Sequence, residues 1–169
     1  MPGQFPQISP TTVREIAQAR PVAGDFREQF PQRQPKIAAF LEEQLGEEND
    51  VAVEFGGRLA AALWTIYERT AHQPLPPVAA ALLERFLPAA RGLLDRVGAS
   101  RGDEPFDPEW LAELPRGNQP HVMGFVIGAL RAARLRIDGT QIKETAIVLL
   151  AMAGALETTA AALLQADQN

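Results

Sequence analysis

The chain reads as an all-α protein, and three observations carry that reading. From residue 35 onward, apolar residues recur at three- and four-residue spacing, the period of a helix with one buried face. No stretch sustains the alternation of a strand between hairpin turns. Residues 142–164 form a helix apolar on two opposite sides, which suits the middle of a bundle. Ile142, Leu149, Leu156 and Leu163 make its large stripe, and Ala151, Gly154, Ala155, Thr158 and Ala162 its small one.

The elements follow in order. Residues 1–35 hold six prolines with glutamines between them, so long helices cannot persist there and an arm is expected. Within it, a short helix is expected from Pro10 to Arg20, with Thr12 and Glu15 at capping-box spacing, and a turn from Asp25 to Phe30. Phe5, Ile8, Phe26 and Phe30 give the arm apolar side chains to lay on the body or on a neighbouring subunit. Residues 36–166 then form a single-domain bundle of about five main helices, and 167–169 a polar tail. Pro35 opens the first helix, which stops at Gly46. Asn49 is expected to cap a long helix to about His72, with Leu59, Leu63 and Ile66 inward and Glu68 on the solvated side. Val78 to Val97 makes the next, with Pro88 on its outer face, followed by a polar loop from Gly98 to Pro108. Asp107 and Pro108 start a short helix. Counting that short helix, Asn118 and Pro120 open the fifth helix after the arm, apolar on every side through Ile127, and Thr140 is expected to cap the last.

Composition narrows the function classes. The 169 residues are 46% hydrophobic and 22% charged, as in ordinary globular domains. A net charge of −5 disfavours nucleic acid and anionic membranes as partners. Cysteine is absent, which removes disulfides, thiolate metal sites and cysteine nucleophiles. The first ten residues lack the pattern of a secretory signal, and the longest apolar run, Ala146 to Leu156, is shorter than a membrane span. A cytoplasmic protein is expected, and fourteen Arg against two Lys with twenty-eight Ala points to a GC-rich bacterial genome.

Chemistry-bearing motifs are sparse, and neither a cofactor nor a metal is expected. Glu68 and His72 stand at ligand spacing but supply only two groups. Ser9 and Ser100 lie in turns with no base in register. Arg131, Arg134 and Arg136, with Lys143 beyond the turn, make a candidate anion patch, against which stands the ordinary pairing of cations with a helix C-terminus.

The more specific signal is packing. His121, Gly124, Gly128 and Ala132 form a narrow strip on the fifth helix, and its natural counterpart is the strip of Ala151, Gly154, Ala155 and Thr158 on the last. Each helical glycine costs about 1 kcal/mol in propensity, so a close contact is expected to offset it. Either the strips meet within one chain, as the short connection favours, or copies meet across a two-fold axis. The leading expectation is therefore a non-enzymatic, self-associating homodimer. The alternative is a bundle that encloses a small apolar molecule between its long and fourth helices, and an enzyme without a recognisable motif comes third.

Overall fold

A computed structural model describes residues 4–19, 25–46 and 50–169, the side chains of 25–28 excepted. The described residues are helical with no strand, so the all-α class holds. The α-helices are α1 (Pro10–Gln18), α2 (Asp25–Arg33), α3 (Pro35–Leu45), α4 (Asp50–Ala71), α5 (Ala80–Gly98), α6 (Pro120–Ala132) and α7 (Gly139–Ala166), with a 3-10 helix at Pro108–Glu113. The five longest, α3 to α7, are the main helices expected. The Phe26 side chain and the Asn49 cap lie outside the described residues.

Three helix starts differ from expectation, and the reasons are local: α5 begins at Ala80 after an extended Ala79, leaving Val78 outside it as the Gln34 oxygen accepts its N–H. Ser9 caps α1, its hydroxyl accepting the Thr12 N–H at 3.1 Å. With Pro10 at the first helical position the cap has to precede it, so the Thr12–Glu15 spacing is not used. At α7 the cap is Asp138, in a capping box with Gln141, and Thr140 lies inside the helix. Gly139 is the first helical residue because the Phe106 carbonyl oxygen comes within 2.2 Å of where a Cβ would stand. Pro108 follows its cap Asp107 as expected, and the Asp107 carboxylate accepts the Glu109 N–H at 2.9 Å.

The core runs along α4 and α7, which pack on each other. Ile142, Leu149 and Leu156 of α7 are fully buried, as are Ala151 and Ala155 on its other side, and Leu163 is half-buried. By length and composition α7 is the one described helix apolar enough to cross a membrane. Here it packs lengthwise against α5 and α4. The uninterrupted apolar run ends at Glu157, and the helix continues beyond it through further apolar residues. α4 is buried more widely than one stripe, since Trp64 and Tyr67 are enclosed along with Leu59, Leu63 and Ile66. Glu68, expected in solvent, has a side chain only 19% exposed.

The molecule is built from two halves on one plan. α1 packs on α4 as α5 packs on α7, and α3 on α4 as α6 on α7. α2 lies against α3 as the 3-10 helix lies against α6. Between halves, α1 reaches α6 and α5 reaches α3. The sequence repeats the plan. Phe5-Pro6-Gln7-Ile8 before α1 answers Leu75-Pro76-Pro77-Val78 before α5, with Phe5, Ile8, Leu75 and Val78 all buried. Gln34-Pro35 opens α3 and Gln119-Pro120 opens α6. Glu68-Arg69-Thr70-Ala71 answers Glu157-Thr158-Thr159-Ala160, and both Thr70 and Thr159 donate to the carbonyl four residues back.

The two buried glutamines join the halves crosswise. The Gln34 amide donates to the Pro76 carbonyl at 3.1 Å and its oxygen accepts the Val78 N–H at 2.9 Å. Gln119 does the same to the first half, donating to the Pro6 carbonyl at 3.1 Å and accepting the Ile8 N–H at 2.9 Å. The described part of the proline-rich arm is thereby tied into the core, with Phe5, Ile8, Val13, Ile16 and Phe30 in the same apolar cluster as the bundle.

Each clamp leaves buried backbone groups unsatisfied if its amide is removed. Gln34→Ala and Gln119→Ala are each expected to lower stability by about 2–4 kcal/mol. Urea unfolding of both variants checks this, and a loss below ~0.5 kcal/mol in either would contradict it.

Candidate functional site

The cations of the candidate anion patch mostly carry partners of their own. Arg131 and Arg134 both pair with Glu109 of the 3-10 helix, and the Glu109 partnership holds the Arg131 guanidinium proton more tightly than usual. Lys143 pairs with Asp95 of α5 at 3.2 Å, while Arg136 is exposed. Three of the four cations are thus matched with carboxylates from other elements, as charges beside folded neighbours tend to be.

The glycines of the two small-residue strips do not face each other. Gly154 faces α5, where a Cβ would come within 2.7 Å of the Phe86 ring. Its neighbours Ala151 and Ala155 are buried, and the Thr158 hydroxyl donates to the Gly154 carbonyl at 2.9 Å. On α6, Gly128 and Ala132 are exposed, and a Cβ on Gly128 would meet nothing within 4 Å. Gly124 is half-buried, with the Arg116 guanidinium 3.6 Å from its Cβ position. The fifth helix is therefore not apolar on every side in its packing: Val122, Val126, Ile127 and Leu130 are buried, whereas His121 faces solvent.

A cleft opens where α5, the 115–119 segment, the start of α6 and the middle of α7 converge. Its volume is about 230 Å³. Phe86 and Leu93 of α5, Met123 of α6 and Leu150 of α7 give it apolar walls. Gly154 shapes it directly, because the absent side chain lets the Phe86 ring lie against the α7 backbone. Two polar groups lie inward: Tyr67, reaching from α4, and Glu157 of α7. Asn118 and Gln119 border it, and Arg116 stands at the exposed edge.

The electrostatics follow from burial. Glu157 is half-buried, and burial pushes its carboxyl above the ordinary carboxylate range, while the Gln119 amide beside it holds it partly down. It makes no ion pair among the described residues. Burial, reinforced by the Glu157 charge, raises the Tyr67 hydroxyl far above the usual phenol range, so it stays protonated. The lining has no serine, threonine, histidine, lysine or cysteine. Such a site can accept and donate hydrogen bonds and hold a charge through Tyr67, Glu157 and Arg116.

Glu68, considered above as a metal ligand with His72, is engaged otherwise. Arg33 pairs with it, and its Oε1 accepts the Leu75 N–H at 3.0 Å. Sequence reasoning missed the cleft residues because Tyr67, Phe86, Gln119 and Glu157 come from four separate elements. One signal was available: Glu157 is the only charged residue between Glu144 and Asp167 in an otherwise interior helix. A lone charge there calls for a partner or a cleft.

The raised Glu157 carboxyl has a consequence for stability. The folded chain holds that proton more tightly than the unfolded chain, so stability falls as pH rises from the ordinary carboxylate pKa through the raised one. Glu157→Gln is expected to abolish this part of the dependence, so the variant's melting temperature gains on the wild type across that window. Thermal melts of both from ~pH 4 to ~pH 7 test it, and a difference that stays flat with pH refutes it. No protein-family model, curated protein or solved structure matches this chain.

Proposed function

We propose that this protein is a non-enzymatic binding protein of the bacterial cytoplasm, taking a small, largely apolar molecule into the cleft between α5, α6 and α7. The observation that carries the reading is the cleft itself: apolar walls with two polar groups, Tyr67 and Glu157, in the lining and no ion pair to Glu157 among the described residues. This is how ligand sites are commonly made, with greasy walls for affinity and a few polar groups for orientation. At about 230 Å³ the space is below the ~300 Å³ typical of drug-sized ligands, so the occupant is small. A lining without serine, cysteine, histidine or lysine supports reading the cleft as a binding site.

The neutral probe 2-phenylethanol tests it. Titration of the full chain is expected to shift NMR signals of Met123, Leu93 and Gly154 selectively, and Ala153→Trp, which fills the cleft from α7, is expected to suppress the shifts. Absence of any shift at millimolar probe concentration would refute the reading.

A second reading, self-association as a homodimer, rests on the outer face of α6. Gly128 and Ala132 are exposed there, Phe125 is only half-buried, and Leu135 just beyond is 88% exposed. An apolar strip of this kind, uncovered among the described residues, suits a flat contact between copies. Light scattering of the wild type and Gly128→Glu checks it: a dimer that dissociates in the variant is expected, and a monomeric wild type ends this reading.

A further inference from the structure

We propose that the cleft recognises a small organic cation, its ammonium or guanidinium head on Glu157 and an aromatic body between Phe86 and Ala153. The inference rests on the cleft being a ligand site and names the chemistry of what it takes.

It comes from comparing the two halves. In the first, Glu68 of α4 is paired with Arg33, the residue immediately before the clamp Gln34. The Arg33 guanidinium lies over the Trp64 ring at 4.6 Å, and Trp64 stands one helical turn before Glu68. Phe30 backs that ring at 5.7 Å between centroids. Carboxylate, guanidinium and aromatic ring thus form one stack, held by an ion pair and a cation–π contact.

The second half keeps the carboxylate and replaces the other two members. Glu157 stands on α7 within the same Glu-x-Thr-Ala pattern. The residue immediately before the clamp Gln119 is Asn118, and the residue one turn before Glu157 is Ala153. Both line the cleft. A small side chain therefore stands where the first half has its cation, and another where it has its ring, while the anion remains.

The other groups at the site fit a cationic guest. The Tyr67 hydroxyl, kept protonated, can accept a hydrogen bond from an ammonium while donating elsewhere. The Phe86 ring offers a face or edge to an aromatic body. Arg116 is exposed, lies against Gly124 of α6, and makes no ion pair with Glu157 among the described residues. An organic cation supplies in one molecule what Arg33 and Trp64 supply to Glu68.

Calorimetric titration of the full chain at neutral pH with 2-phenylethylamine, 2-phenylethanol and 3-phenylpropionate separates charge from shape. The amine is expected to bind at least about tenfold tighter than the alcohol, with the carboxylate weakest. Glu157→Gln is expected to reduce the amine to the level of the alcohol. The double variant Asn118→Arg, Ala153→Trp, which gives the second half the side chains of the first, is expected to melt higher and to bind neither. If the wild type binds amine and alcohol alike, or the amine preference survives Glu157→Gln, the cation assignment falls and the cleft remains a binding site. If none of the three binds, both readings fall.

Discussion

Two buried glutamine amides set the conditions for the rest of this structure. A primary amide enclosed in an apolar interior has to find both a donor and an acceptor, or its burial is costly. Gln34 and Gln119 each find theirs in an extended segment beginning with proline, taking a carbonyl and the N–H two residues later. The proline nitrogen carries no hydrogen, so the segment presents few other backbone groups that need partners. Each clamped segment leads directly into a helix, Pro6–Ile8 into α1 and Pro76–Val78 into α5. Because each amide belongs to the opposite half, the clamps bring α1 onto α6 and α5 onto α3.

Within that frame α4 and α7 do corresponding work, but their surroundings are filled differently. Trp64 on α4 fills the space beside Glu68, and Arg33 neutralises the carboxylate. On α7 the small residues Ala153 and Gly154 admit Phe86 and leave a cleft, with Glu157 at its polar end. Half-burial without a cation raises the Glu157 carboxyl, and Tyr67, raised chiefly by its own burial, is pushed further by the Glu157 charge. The site is thus a departure from the repeated plan, and it coexists with a well-filled core because the missing volume is confined to one side of one helix.

Much of the helical framework was legible in the chain. Proline at a first helical position marks α1, α3 and α6, and the wholly buried Ile142, Leu149 and Leu156 follow from their spacing on α7. What misled were features whose meaning depends on a distant neighbour. Gly154 and Gly128 look alike as small residues on helices, yet one receives the Phe86 ring and the other opens on solvent. Arg131 and Arg134 look like a cationic cluster until Glu109 arrives from the 3-10 helix. The repeat has no fixed period, since the spacing between matching residues lengthens along the chain as α5 outgrows α1 and the 98–119 segment is added.

By itself, the sequence determined the helical class, the approximate span of each main helix, and the interior position of α7, because these depend on side-chain periodicity and on residues that start or stop helices within a turn or two. Only the tertiary structure decided the crosswise clamps, the partner of Gly154 and the cleft around Glu157. The Gln119 amide meets the Ile8 N–H 111 positions away, and no local pattern encodes a contact between groups so far apart along the chain. The physical reason is the same for each: helix formation is governed by neighbours a few residues apart, whereas the pairing of buried polar groups is settled only when distant surfaces close on them and water is excluded.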